Sequence, residues 1–140
     1  MKNKLYIDTN VLIDVVTSRN QPHVIYSQRL FAEAYRRKID LYVSALSFVT
    51  TVYVARKYHL SEEQTRRALK IISSFVNVVE LSETDALTML DTEWKDYEDA
   101  LQYCSALKVD ADYIITGNIS DFSESSLPVL TPQQYLERFV

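Results

Sequence analysis

The sequence predicts an α/β fold in which helices cover both faces of a parallel sheet. Short apolar runs that are typical of buried strands alternate with longer segments whose apolar residues recur at helical spacing. Such alternation favours parallel pairing, because each helix returns the chain to the same end of the sheet. The length of 140 residues suits a single domain over residues 1–140, and no repeat, low-complexity segment or linker divides it.

Five short apolar segments, each bounded by polar or turn-forming residues, are the predicted strands. They are residues 5–8, 41–44, 75–81, 113–116 and 129–130. The first strand ends on Asp8, and the fifth follows Pro128. Ligand sites in parallel sheets lie beyond the carboxyl ends of the strands, so the residues that follow each strand are the first candidates for function.

Capping residues and apolar spacing predict the helices between these strands. Pro22 suits the first turn of the second helix, which ends in the cationic run 36–38, and residues 46–56 form the third. An amphipathic helix spans 96–107. Other helix starts are predicted from capping patterns at Thr9 or Asn10, at Ser61 with Gln64, at Ser82 with Asp85, and at Thr131 with Pro132.

Composition excludes several classes of function. The chain has one glycine, Gly117, whereas a P-loop and a dinucleotide fingerprint each need several. Its net charge of −4 argues against a generally basic nucleic-acid binder, although a local basic patch remains compatible with RNA. The single cysteine suits a reducing cytoplasm, and no apolar stretch approaches the roughly 20 residues of a membrane span. The N-terminal segment, with Asp8 inside its apolar run, is interpreted as a strand and not as a signal peptide.

Acidic residues at three places along the chain are the candidates for chemistry. Asp8 ends a buried strand, where a carboxylate must be paired, hydrogen-bonded or metal-bound; it could equally bind backbone N–H groups of the next helix. Asp96 and Asp99 share a helix face, yet an N-cap and a first-turn acid would have the same spacing. Asn118 and Asp121 follow strand four and are also common turn residues.

The conjunction of these segments is more informative than any one of them. If the strands are parallel, all three meet at one edge of the sheet. Carboxylate oxygen is the ligand that Mg²⁺ and Mn²⁺ prefer, whereas no Cys/His pattern with zinc spacing is present. We therefore expect Asp8, Asp96, Asp99 and Asp121 to hold a divalent cation, and Glu98 to lie on another face in solvent.

Three sequence motifs resemble those of PIN domains, and the small bacterial VapC-type proteins are the most similar subgroup. The motifs are LYIDTNVL at 5–12, DYEDA at 96–100 and ADYIITGNISDF at 111–122. The resemblance extends from residue 5 to about residue 136. It implies a three-layer α/β/α fold with a mostly five-stranded parallel sheet, and Mg²⁺- or Mn²⁺-dependent endoribonuclease activity.

The resemblance also assigns roles to residues. It matches Asp8, Asp96, Asp99, Asn118 and Asp121 to catalytic positions, with Thr9, Asn10 and Thr116 as supporting polar residues. VapC-type proteins bind an antitoxin and commonly form homodimers, so an RNA substrate, an antitoxin and a second copy are the expected partners.

Two positions depart from the family pattern. Thr50 occupies the place of a common Glu, or Thr51 does so if the register slips by one residue, and Gly117 stands where the subgroup usually has Arg. These departures motivate an alternative in which the domain binds RNA or protein without cutting. A phosphatase with Asp8 as nucleophile is disfavoured, because Asn10 stands where a second Asp is usual.

Overall fold

The computed structural model describes residues 3–140, which contain five strands and seven α-helices. The strands are β1 (Lys4–Ile7), β2 (Asp40–Ser44), β3 (Val76–Val79), β4 (Tyr113–Ile115) and β5 (Val129–Leu130). The helices are α1 (Thr9–Thr17), α2 (Val24–Arg37), α3 (Ala45–Ala55), α4 (Glu62–Ile72), α5 (Glu83–Thr88), α6 (Tyr97–Lys108) and α7 (Pro132–Phe139). Short 3₁₀ helices occupy Arg56–Tyr58, Met89–Asp91 and Ile119–Phe122.

The strands form one parallel sheet in the order β3-β2-β1-β4-β5. The chain therefore builds outward from β1 in one direction through β2 and β3, and in the other through β4 and β5. The order in which strands are added to the sheet reverses between β1 and β4. This switch point leaves a crevice at the carboxyl ends of the two strands, which is where open α/β sheets bind ligands. This confirms the predicted fold class.

Apolar side chains on both faces of the sheet form the core. Leu5 and Ile7 point into a large cluster with residues of α1, α2, α3, α4 and α7, whereas Tyr6 between them joins a smaller cluster with residues of α6. Successive strand residues point to opposite faces, so β1 is covered on both sides, and all three of these side chains are fully buried. Burial of β1 on both faces fixes the position of the residue that follows it.

Most predicted elements are confirmed, with shifts at their ends. The prediction of Thr9 or Asn10 as the first N-cap is wrong, because β1 ends at Ile7 and Asp8 takes that position with extended backbone (φ −63°, ψ 147°). The second helix begins after Pro22, which lies in the preceding turn. Lys38 follows that helix in the left-handed conformation (φ 57°).

Packing decides the helix at residues 45–55 against weak local propensity. Thr50 and Thr51 are β-branched and disfavour a helix, yet both are helical. Thr51 is fully buried against the core, so burial outweighs that preference.

Two further findings concern the predictions for the whole chain. Met1 and Lys2 belong to the predicted domain of residues 1–140 but lie outside the described residues. Within residues 3–140, no helix is both long and apolar enough to cross a bilayer.

Candidate functional site

Asp8 lies at the crevice between β1 and β4, with its side chain only 2% exposed. Ile7 is in register with Ile115, and the Asp8 N–H donates to the Ile115 carbonyl at 2.9 Å. Its carboxylate accepts hydrogen bonds from Gln102 Nε2 at 2.8 Å and from Thr116 Oγ1 at 2.7 Å. Both oxygens are thus held by side chains, and neither caps the following helix.

Gln102 is a buried member of the site that the sequence analysis missed. Its Oε1 accepts from the Thr9 N–H at 3.0 Å and from the Tyr6 hydroxyl at 3.3 Å, while its Nε2 donates to Asp8. Gln102 thus accepts from the first N–H of α1 and donates to the Asp8 carboxylate, which ties the start of this helix to the acid. The available signal was its spacing of three residues from Asp99 on one helix face.

The first turn of α6 brings its acids to the same place. Asp96 is the N-cap and accepts from the Asp99 N–H at 3.0 Å, so its capping role coexists with its position at the site. Glu98 also lies there and is half-buried. The expectation that Glu98 points into solvent is wrong, because this first turn extends into the crevice and presents more than one face to it.

The segment after β4 holds Asp121 through Asn118. Asn118 Nδ2 donates to Asp121 Oδ1 at 3.1 Å, and Ser120 Oγ donates to Asn118 Oδ1 at 2.7 Å. Thr116 Oγ1 accepts from the Asn118 N–H at 3.1 Å while donating to Asp8. This chain of contacts couples the two carboxylates through residues that the resemblance singled out.

These residues surround one cavity of about 340 Å³, which we call the acidic cavity. Its lining includes five carboxylates, Asp8, Asp96, Glu98, Asp99 and Asp121, together with Thr9, Asn10, Ile13, Arg19, Thr50, Val54 and Gln102. Thr50 is on the cavity side of α3, whereas Thr51 points into the core. The Thr9 hydroxyl is 2.6 Å from the Ser47 hydroxyl, and Asn118 lines an adjoining cavity instead.

Comparison with known proteins identifies the family. A family model for the PIN domain matches residues 4–120. The chain belongs to the PIN-domain family. Ribonuclease VapC1 of Aquifex aeolicus (strain VF5) is 32% identical over 144 residues, covering 97% of this chain and 95% of the relative.

Solved structures show the same PIN fold. A toxin–antitoxin complex from Klebsiella pneumoniae matches with a TM-score of 0.63 and 28% identity, over 91% of this chain and 97% of the other. VapC20 of Mycobacterium tuberculosis, a sarcin–ricin loop cleaving toxin, matches with a TM-score of 0.66 over 85% of this chain and 95% of its own. Its identity of 14% makes this a likeness of fold alone.

Burial, reinforced by like charges, raises the pKa of three acids in this PIN-domain cavity. Burial, followed by the charges of Asp96, Asp8, Asp121 and Glu98, raises the pKa of Asp99 to about 7. Burial also raises the pKa of Asp8, against the opposing hydrogen bonds from Thr116 and Gln102. Burial and the charges of Asp8 and Asp96 raise the pKa of Glu98. The cavity therefore resists full ionisation without a bound cation.

The donor set fits a hard divalent cation. Every charged ligand candidate in the acidic cavity offers carboxylate oxygen, the donor that Mg²⁺ and Mn²⁺ prefer, and a cation would relieve the repulsion that raises the pKa of Asp99. Within residues 3–140, no three His, Cys, Asp or Glu side chains already converge closely enough to hold a metal ion. The residues fit such a cation by chemistry, without a preformed cage.

Five of the eight arginines of this PIN domain form ion pairs away from the acidic cavity. Three stretches, at 36–38, 56–57 and 66–70, hold clusters of exposed basic residues. Their arginines form ion pairs with glutamates: Arg36 and Arg37 with Glu33, Arg56 and Arg66 with Glu62, and Arg67 with Glu63. None of them lines the acidic cavity. Arg19, which the sequence analysis did not single out, does line it.

Proposed function

We propose that this protein is an endoribonuclease that cleaves RNA phosphodiester bonds with Mg²⁺ or Mn²⁺, as the toxin of a toxin–antitoxin pair. The observation that carries the proposal is the meeting of five carboxylates around one cavity at the β1–β4 crevice. The name of the relative, Ribonuclease VapC1, supports the reaction because the similarity covers 97% of this chain.

In this proposal Asp8, Asp96, Asp99 and Asp121 hold the cation, directly or through water. A bound divalent cation neutralises the charge that develops on a phosphodiester and activates water for attack. Asp8 is the most firmly positioned donor, since both of its oxygens accept hydrogen bonds from buried side chains. Asn118 orients Asp121 through their 3.1 Å contact, Thr116 positions Asp8 by donating to it, and Thr9, Asn10 and Thr50 supply neutral oxygens in the lining of the acidic cavity.

Asp8→Asn tests the proposal with little change in shape. Purified wild type should cleave labelled single-stranded RNA with Mg²⁺ or Mn²⁺ and lose this activity with EDTA. Asp8→Asn should lose it even with metal. Asp110→Asn is the matched control, because Asp110 is exposed at the far end of α6 and its left-handed backbone (φ 54°) accommodates Asn. Cleavage by Asp8→Asn at the wild-type rate would refute the scheme.

An apolar groove between α3 and α4 supports an antitoxin as partner. Phe48, Val49, Val52 and Leu69 line a cavity of about 340 Å³, and Val49 is 68% exposed. The match to a solved toxin–antitoxin complex at 28% identity motivates the choice of an antitoxin segment as its occupant. We further propose that residues 1–140 act as one cytoplasmic domain that forms a homodimer.

The second candidate is a domain that binds RNA or protein without cutting. Thr50 in place of an acidic side chain, and the absence of a preformed cage within the described residues, favour it. Titration with Mn²⁺ separates the two, because a binding module shows no Mn²⁺ affinity in the low millimolar range and no cleavage.

A further inference from the structure

The acidic cavity has one cationic side chain in its lining, Arg19, within the part of the chain that is described. Arg19 also lines a second cavity of about 340 Å³, so it stands where the two cavities meet. The lining of this second cavity, which we call the neutral cavity, is Asn10, Arg19, Gln21, His23, Gly117 and Asn118. It contains no carboxylate.

The guanidinium of Arg19 is oriented before any ligand arrives. Its Nε donates to Asp14 Oδ1 at 2.6 Å, and its Nη1 and Nη2 lie 3.4 Å from the Tyr58 hydroxyl and from the Asn10 carbonyl oxygen. Asp14 is 1% exposed and also accepts from Ser27 Oγ at 2.9 Å, so the anchor is fixed. A guanidinium has five N–H groups, and these three contacts leave one N–H on each terminal nitrogen available to a phosphate.

A third cavity, which adjoins the acidic cavity through Asp96, Asp99 and Asp121, is unfavourable for an RNA backbone. It adds Glu93 and Glu124 to these carboxylates, and Lys95 is the one cation in its lining. A polyanion that leaves the acidic cavity in that direction meets further negative charge. Where the neutral cavity adjoins the acidic cavity, the polyanion meets Arg19, and no carboxylate is part of the lining of the neutral cavity.

The space beside Gly117, in the lining of the neutral cavity, is open. A Cβ atom added to Gly117 would meet nothing within 4 Å, so the neutral cavity is unobstructed at this position and a longer side chain can extend from it. Gly117 follows Thr116, which holds Asp8, so this opening is close to the proposed reaction site.

We propose that Arg19 binds a phosphate of RNA next to the one that is cleaved, and that the RNA strand extends from the acidic cavity through the neutral cavity past Gly117. This proposal rests on the proposed ribonuclease function. It makes Arg19 a substrate-binding residue whose loss weakens RNA binding more than it slows the chemical step.

Steady-state cleavage of 5′-labelled single-stranded RNA by wild type and by Arg19→Gln tests the charge directly. Arg19→Gln should raise KM with kcat changed less than twofold. The slope of log(kcat/KM) against log salt concentration, measured between about 50 and 200 mM KCl, should become shallower by about 0.7, the value for one phosphate of a single strand. Arg19→Lys should restore the slope but only part of the affinity, because Lys cannot bind a phosphate at two points.

Gly117→Glu and Gly117→Gln form a second, matched pair that leaves the Arg19 contacts intact. Both side chains fit the open space, but only Glu places a negative charge on the proposed path. Gly117→Glu should raise KM at least about fivefold over Gly117→Gln at low salt, and the difference should shrink as salt screens it. This pair decides the question if Arg19→Gln fails to fold.

Failure of this inference is distinguishable from failure of the function. If wild type cleaves RNA but Gly117→Glu and Gly117→Gln have the same KM, the proposed RNA path and the role of Arg19 are wrong. The proposal is also wrong if Arg19→Gln folds but leaves both KM and the salt dependence of kcat/KM unchanged. Wild type that cleaves no RNA with Mg²⁺ or Mn²⁺ overturns the function, and this inference with it.

Discussion

Neutralising Asp99 should stabilise the metal-free protein at neutral and higher pH. The folded-state pKa of Asp99 is raised from 3.8 to about 7, so its contribution to stability is fully present below pH 4 and is lost as pH rises to 7. At 1.36 kcal/mol per unit the rise corresponds to roughly 4 kcal/mol. Because Asp99 is partly exposed, solvent screening reduces the expected gain for Asp99→Asn at pH 8 to about 1–2 kcal/mol.

Urea unfolding with EDTA, followed by circular dichroism at pH 5 and pH 8, measures this gain. Asp99→Asn should exceed wild type in free energy of unfolding at pH 8, and the difference should shrink at pH 5. The control Asp110→Asn should match wild type at both pH values. A variant less stable than wild type at pH 8 would contradict the cost of burying an ionised Asp99 among the other carboxylates.

The remaining predictions concern the residues around Asp8. Gln102→Met should lower the free energy of unfolding by about 1–3 kcal/mol in urea titrations, because it leaves the Thr9 N–H and the Asp8 carboxylate without their buried partner. A loss of less than about 0.5 kcal/mol would contradict this. Thr116→Val should weaken Mn²⁺ binding in calorimetry about 10–100-fold, since it removes the 2.7 Å hydrogen bond to Asp8; unchanged affinity would argue against Asp8 as a ligand. Thr50→Glu should strengthen Mn²⁺ binding but lower the Tm in EDTA. An equal shift in Tm with and without Mn²⁺ would argue against the placement of residue 50 in the acidic cavity.

Sequence patterns were sufficient for the sheet because strands and helix caps have local signatures. Val129–Leu130, the capping boxes at Ser61 and Ser82, and the helix start at Thr131 and Pro132 lie where the sequence predicted them. These features depend on neighbours within a few residues. Helix α3 is the harder case, since Thr50 and Thr51 locally disfavour a helix and burial of Thr51 outweighs that preference.

Long-range partners were beyond such patterns. Gln102 is 94 residues from Asp8 in sequence, and nothing local marks an amide that holds a distant carboxylate. Arg19 was overlooked because it stands alone between two helices, whereas the conspicuous basic clusters are paired with glutamates. Glu98 was misplaced because helix spacing predicts which residues share a face but not how deeply the first turn enters a crevice.

The proposed site is tested most directly by the anomalous scattering of Mn²⁺. Crystals of the wild-type protein grown with millimolar MnCl₂ should show an anomalous difference peak inside the acidic cavity, between the carboxylates of Asp8 and Asp99, and crystals of Asp8→Asn should lack it. An empty cavity in wild-type crystals, or a peak only at a distant surface, would contradict a metal-dependent nuclease.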